Sequence, residues 1–350
     1  MPRTTPLVIK GRFVNPGFAG TAAPGPLPEE GAAGEMAEVA QPGGFRQFLK
    51  WQREHRKARR NEPKTIDVPR VDEPPEKIAP AQERGIALTW VGHSTVLLQL
   101  DGKNYLTDPV WSNRIGGVVP RKTAPGIPMS ALPRIDAVLQ SHNHYDHLDA
   151  RTIAKLPRAT PIHCTTGVGA WFRKRKFRDV TERSWWESST TDGHDITCVP
   201  AQHFSGRTLF DRDRTLWGGW VVRGPHSSAY FAGDSGYCAA FKEVGEAFPR
   251  LDVALMPIGA YAPRWFMGPV HVDPAEAGQA FLDCGARTML PTHWGTFRLA
   301  DEAVDEPPRV MRKWWSGNGL AAERLLLPRM GETVRVAPER ERASGPTRHE

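Results

Sequence analysis

Cysteine is scarce in this sequence and long apolar runs are missing. The four cysteines, Cys164, Cys198, Cys238 and Cys284, are widely spaced and form no C-x-x-C pair. That spacing signals neither a thiolate zinc site nor a disulfide framework, and it fits a reducing compartment. No run of 18 apolar residues occurs, so no membrane-spanning helix is expected. The opening Met1-Pro2-Arg3-Thr4-Thr5-Pro6 has no apolar core of the secretory type. The expectation is a cytoplasmic protein, with peripheral contact at the inner face of the membrane left open. Acidic residues are outnumbered, giving a formal charge of +7 and a pI near 9.4. This balance permits a phospholipid surface, a nucleic acid or a phosphorylated small molecule as partner without choosing among them. Ordinary solvated surface is the expected source of much of the excess.

A chain of 350 residues can bury one large core or two modest ones. Residues 1–80 read as a Gly/Ala/Pro-rich N-terminal arm and linker, either mobile or draped on the domain. Within them, Phe45, Phe48, Leu49 and Trp51 have helical spacing and precede a basic tail ending at Arg60, as in a helix packed on its own domain. Residues 81–338 read as the main domain and 339–350 as a polar tail. Residues 86–108 alternate and turn like successive antiparallel strands, with Asp101-Gly102 as a hairpin signal. Further strands are expected at 160–164, 195–199, 216–222, 229–232, 253–257 and 288–291. Asp273 to Gly285 is the clearest helix, with an aspartate N-cap, Pro274 at its first position and Glu276 at its third. Strands in hairpins followed by alternating strands and helices make an α/β (α+β) protein. Two mixed sheets packed face to face with helices outside are one arrangement that buries such a pattern.

The chemistry concentrates in S-H-N-H-Y-D-H-L-D, residues 141–149. His142, His144, Asp146 and His147 are four potential metal ligands within six residues. In extended chain the first two point to one side, and the others swing toward it as the chain turns into a helix capped by Asp149 and running to Leu156. One loop can therefore serve two metal ions, and the preceding apolar run 135–140 places it at the carboxyl end of a strand, where open α/β sheets bind ligands. Three more segments end an expected strand on a ligand-type residue: Val199 to His203, Tyr230 to Asp234 and Met289 to His293. Strand ends side by side in a sheet bring distant residues together, so His203, Asp234 and His293 can complete the site. Asp108 suits an acceptor behind a ligand histidine, His93 a supporting position, and His271 a substrate contact. His55, His163, His194, His226 and His349 have no such context.

The H-x-H-x-D-H motif with His203, Asp234 and His293 resembles the metallo-β-lactamase superfamily. That likeness implies a four-layer αβ/βα sandwich of two mixed β-sheets with helices outside and a dinuclear site at one edge. W-V-G-H-S-T-V from Trp90, A-Q-H-F-S-G-R from Ala201, F-A-G-D-S-G-Y from Phe231, P-R-W-F-M from Pro263 and H-W-G-T-F from His293 are similar to the N-acyl-phosphatidylethanolamine-hydrolysing phospholipase D family. The likeness spans residues 85 to 310, with an echo at Arg12 to Pro16. It implies that His142, His144 and His203 hold one zinc ion, that Asp146, His147 and His293 hold the other, and that Asp234 bridges them. Other divalent metals would also suit the site. It further implies a hydroxide shared by the metals attacking the phosphorus of a phospholipid or other small phosphodiester. The products from N-acyl-phosphatidylethanolamine would be phosphatidic acid and an N-acylethanolamine. Asp146, Asp234 and His271 are the catalytic candidates, and Tyr145 and His271 the phosphate contacts. Trp185, Trp186 and Trp265 suit either an acyl groove or the core.

Alternatives remain open on the residues alone. A lactonase of the ascorbate-6-phosphate lactonase type, a thioesterase or a β-lactamase would use the same site on a carbonyl. A nuclease is not expected, because the basic runs at 53–60 and 173–178 lack the interleaved aromatics of a single-strand platform. A non-catalytic lipid-binding protein is disfavoured by seven filled ligand positions. A homodimer is left open.

Overall fold

The computed structural model describes residues 3–16, 50–51, 53–54, 66–208 and 210–336. Strands β1 (Leu7–Ile9) and β2 (Arg12–Val14) form an N-terminal hairpin. Then come β3 (Ile86–Gly92), β4 (Thr95–Leu100), β5 (Lys103–Thr107), the short pair β6 (Arg114–Ile115) and β7 (Val119–Pro120), and β8 (Ala137–Gln140). Next are β9 (Ile162–Thr165), β10 (Val180–Arg183), β11 (Ser188–Thr191), β12 (His194–Val199), β13 (Gly219–Arg223) and β14 (Ser228–Phe231). The last strands are β15 (Val253–Pro257), β16 (Thr288–Thr292) and β17 (Thr333–Val336). The α-helices are α1 (Ala150–Ile153), α2 (Gly169–Arg173), α3 (Ala240–Ala247), α4 (Arg264–Met267), α5 (Pro274–Asp283) and α6 (Pro307–Gly317).

Two mixed sheets dominate. The first runs β10-β9-β8-β5-β4-β3-β17, and the second runs β11-β12-β13-β14-β15-β16. In the first, β10, β9, β8 and β5 are mutually parallel and the rest pair antiparallel; in the second, β14, β15 and β16 are parallel. The period of two along each strand explains the layering. In β4, Val96, Leu98 and Leu100 enter the core shared by the sheets, while Leu97 joins the outer cluster under α1 and α2 with Ile153 and Phe172. In β8, Ala137 and Leu139 face inward and Val138 outward. Trp90, Trp217 and Trp220 fill the shared core, and Trp90 stacks on Trp294 with ring centroids 4.6 Å apart. Helix α5 covers the second sheet through Ala277, Ala280 and Phe281, against Trp315 of α6.

Local chemistry accounts for the elements. Asp101 and Gly102 both have positive φ, 44° and 84°, as a two-residue hairpin between β4 and β5 requires. Asp273 accepts from Glu276 N while the Glu276 carboxylate accepts from Asp273 N, closing a capping box on α5. Asp273→Ala is expected to lower stability by about 1 kcal/mol in urea unfolding. The helix after the motif stops at Ile153 rather than running to Leu156. Pro157 disfavours helical backbone at Leu156, and Arg158 donates to the carbonyls of Ile153, Ala154 and Leu156. Strand β13 begins at Gly219, not Leu216, because Gly218 N leaves the ladder to donate to Ser141 O.

Residues 3–16 lie draped on the domain: Trp186 Nε1 donates to Thr4 O at 2.7 Å and Phe13 N to Asp213 O at 2.8 Å. The proline-rich stretch before β3 also packs on it, with Val71 N donating to Met330 O and Ile78 N to Ala131 O. The expected helix over 45–60 falls largely outside the described residues, as does the tail 339–350; Trp51, in its described part, stacks on Phe266. No helix among the described residues is long and apolar enough to cross a membrane.

Candidate metal centre

Every ligand-type residue of the centre follows the carboxyl end of a strand, and these ends share one edge of the two sheets, while His271 follows α4. His93 follows β3, Asp108 follows β5, and residues 141–149 follow β8; His203, Asp234 and His293 follow β12, β14 and β16. Cross-links lock the two halves: Trp220 Nε1 donates to Gln140 O at 3.1 Å and His293 N to His93 O at 3.1 Å. His93, Asp108 and His293 have left-handed φ values of 54°, 30° and 61°, a sparsely populated conformation that concentrates at functional sites. Gly233 precedes Asp234 at φ 63°, where a Cβ would meet Ser141 Cβ at 2.8 Å, so only glycine lets the two loops approach.

The side chains form two neighbouring groups. His142 Nε2 lies 2.8 Å from His144 Nδ1, which lies 3.2 Å from His203 Nε2. Beside this trio, Asp234 Oδ2 is 3.0 Å from both His147 Nε2 and His293 Nε2 and 3.8 Å from His203 Nε2. Asp146 Oδ2 lies 3.0 Å from His93 Nε2, 3.4 Å from His147 Nε2 and 3.5 Å from His293 Nε2. Asp234 thus stands between the groups. Although His147 Nε2 and His293 Nε2 are so close to carboxylates, neither makes an aligned hydrogen bond among the described residues; nor does Asp234 Oδ1. Buried polar atoms in proteins are nearly always satisfied, so this cluster of orphans fits cation binding.

The far nitrogens of the rings are held in turn. Asp108 accepts from His147 Nδ1 at 2.6 Å, Val270 O accepts from His203 Nδ1 at 2.9 Å, and Ser141 Oγ accepts from His142 Nδ1 at 2.8 Å. Those bonds leave Nε2 of His142, His147 and His203 facing the centre. Asp108 also takes Ser141 N and Gln140 Nε2 at 2.8 and 2.9 Å, so one carboxylate orients both ends of the motif. The expected acceptor role of Asp108 and the supporting position of His93 match these contacts.

Electrostatics divide the two groups. Burial, reinforced by neighbouring imidazoles, lowers His142 well below its ordinary pKa, His144 to about 3 and His203, against the pull of Asp234, to about 4; these three stay neutral. Burial opposes charge on His293 as well, but Asp234 and Asp146 outweigh it and raise its pKa to about 9. His147 is raised well above its ordinary value by Asp234, Asp146 and Asp108 against the same burial. Burial likewise opposes the charge of Asp146 and Asp234, yet His147 and His293 hold both as carboxylates. Protons on His147 and His293 thus supply the positive charge that the carboxylates demand.

His271 borders the centre, its ring 5.0 Å from that of His203 and 5.4 Å from that of His293, with Nδ1 unpartnered among the described residues. Tyr145 stands at the rim, 41% exposed. Trp185 is buried, donating to Trp217 O, and does not line a groove; Trp186 is half-buried beneath Arg3, and Trp265 is partly exposed beside Phe266. Sequence reasoning missed Ser141, whose hydroxyl links His142 to Asp108, and Asn143 and Arg207, whose contacts run through backbone groups that no spacing rule reveals.

Residues 103–294, which contain all seven ligand-type positions, match the Beta-lactamase superfamily domain. The chain belongs to that superfamily. This family of metal-dependent hydrolases includes close relatives of the chain. An uncharacterized protein of Mycobacterium tuberculosis is 41% identical over 263 residues, 72% of this chain and 66% of the relative. An N-acyl-phosphatidylethanolamine-hydrolyzing phospholipase D 1 of Caenorhabditis elegans is 38% identical over 244 residues, 65% of this chain and 68% of the relative. The beta-lactamase superfamily fold itself recurs in a metallo hydrolase of Ignicoccus hospitalis, with a TM-score of 0.55 at 23% identity over 72% of this chain and 98% of the other.

Proposed function

We propose that this chain is a phosphodiesterase of phospholipase D type, hydrolysing N-acyl-phosphatidylethanolamine-like phospholipids to phosphatidic acid and N-acylethanolamine. The observation that carries this reading is seven ligand-type side chains meeting at one sheet edge in a chain 38% identical to a phospholipase of that name. His142, His144 and His203 would hold one divalent ion, Asp146, His147 and His293 a second, with Asp234 between them. Imidazole and carboxylate donors without thiolate suit zinc. A pair of such ions supplies Lewis acidity toward a phosphoryl oxygen and a water made nucleophilic near neutral pH.

The chain's own residues orient and hold charge. Asp108, Val270 O and Ser141 fix three ring tautomers, and Asp146 and Asp234 stay ionised. His271 is kept neutral by burial above all, and Arg264 Nη1 holds its carbonyl at 2.7 Å. A neutral imidazole there donates one N–H to a non-bridging phosphate oxygen, and the exposed Tyr145 hydroxyl offers another contact. The test is hydrolysis of N-acyl-phosphatidylethanolamine in mixed micelles by protein of known metal content, with Asp146→Asn in parallel. Release of N-acylethanolamine by the wild type alone supports the reading. Metal-loaded protein that releases none contradicts it and turns the search to lactones and other phosphodiesters.

A further inference from the structure

Two side chains outside the seven ligand-type residues, Arg207 and Asn15, tie the chain at and after His203 to its neighbours. Arg207 Nη1 donates to the carbonyls of Asn143 at 2.8 Å and Leu148 at 2.7 Å, and lies 3.4 Å from that of His144. Its guanidinium covers the Tyr145 ring at 4.1 Å. Gly206 N adds a bond to Asn143 Oδ1 at 2.8 Å, and Asp211 Oδ1 closes the turn by accepting from Arg207 N and Thr208 N. On the opposite flank, Asn15 Nδ2 donates to the carbonyl of His203 at 2.8 Å, from 188 residues away in sequence. The same hairpin ties Phe13 N to Asp213 O and Arg12 to Arg212 O.

Both bonds leave Nη1, whose two N–H groups have fixed directions in the guanidinium plane, so it can fix two carbonyls at one separation; a lysine ammonium is a point charge on a flexible stem. The carbonyls that Arg207 holds bracket residues 144–147, the part of the motif that feeds both ligand groups. We infer that the described residues from His203 to Asp213 form a strap, tied by Arg207 to the motif loop and by Asn15 to the N-terminal hairpin, and that these two positioning residues set where His203 meets His142 and His144. The inference rests on the metal-centre reading above. It makes the Arg12 to Pro16 stretch a working part of the centre.

The experiment uses metal-free, full-length protein, with Zn2+ titrated against a chromophoric chelator and Co2+ as a visible-absorption probe of ligand geometry. Arg207→Ala is expected to weaken Zn2+ binding by about 10–100-fold and Asn15→Ala by about tenfold, the range for residues that orient metal ligands. Both shift the Co2+ bands, and Arg207→Lys does not restore them. Arg324→Ala is the control: its guanidinium donates to the carbonyls of Arg287 and Ala286 at the other end of β16. That variant lowers Tm and leaves Zn2+ affinity unchanged. Wild-type affinity and spectra in both Arg207→Ala and Asn15→Ala overturn the strap, as does full rescue by lysine; if Arg207→Ala does not fold, Asn15→Ala decides. Wild-type protein that takes up no metal overturns the metal-centre reading itself, whereas metal-loaded wild type with indifferent variants overturns the strap alone.

Discussion

Asp234→Asn is expected to lower kcat/KM for the proposed phosphodiesterase reaction by about a thousandfold or more and to leave the protein short of metal. Among the described residues, Asp234 is the carboxylate that stands between the Nε2 faces of both ligand groups, at 3.0 Å from His147 and His293 and 3.8 Å from His203. Asparagine keeps the shape and one acceptor oxygen but removes the charge that makes two close cations tolerable. Loss of a single preorganised electrostatic group costs about 10²–10³-fold in enzymes generally, and loss of an ion adds to that. The metal-free fold should suffer much less, because His147 and His293 can release their protons when the carboxylate charge goes. Equal metal content and activity in Asp234→Asn and wild type would show that the residue merely turns the chain.

Zinc affinity is expected to climb steeply with pH. His293 has a folded pKa near 9 and His147 is raised above its ordinary value, so both carry protons at pH 6–8 in the metal-free protein and must lose them to bind metal. Each displaced proton contributes about a tenfold gain in affinity per pH unit, so the apparent association constant rises by about a hundredfold between pH 6.5 and 7.5. The sign for stability is opposite. A histidine raised from 6.5 to about 9 stabilises the metal-free fold fully below pH 6.5, and that contribution disappears as pH climbs through 9. Thermal unfolding of metal-free protein should therefore weaken from pH 6.5 to 9, while metal-loaded protein lacks this decline. A pH-independent affinity over pH 6–8 would mean that His147 and His293 are not ligands.

Much of the centre was legible because ligand chemistry is local in sequence where the fold is local. Four of the seven positions sit in one loop, and the other three each end a strand whose apolar pattern is plain. The sandwich itself could not be singled out from composition; it was implied by resemblance and then found in the paired sheets. Elements with weak apolar signals escaped. Strands β10 and β11 are polar edge strands, and α6 opens on Pro307-Pro308, which reads as linker although proline suits a first helical turn. The bounds of α1 and β13 were misjudged because bonds to carbonyls decide them, a local side-chain cap from Arg158 on α1 and a long-range bond from Gly218 N to Ser141 O before β13. Arg207 was invisible for the same reason: its partners are carbonyls, and carbonyls carry no residue identity.

The most direct measurement is the zinc content of chelator-stripped, reloaded protein, taken for wild type, His203→Ala and His293→Ala side by side. Two ions per chain in the wild type, with each variant retaining about one, is the predicted result. Fewer than one ion in the wild type, or full loading of both variants, would contradict a dinuclear centre built from these residues.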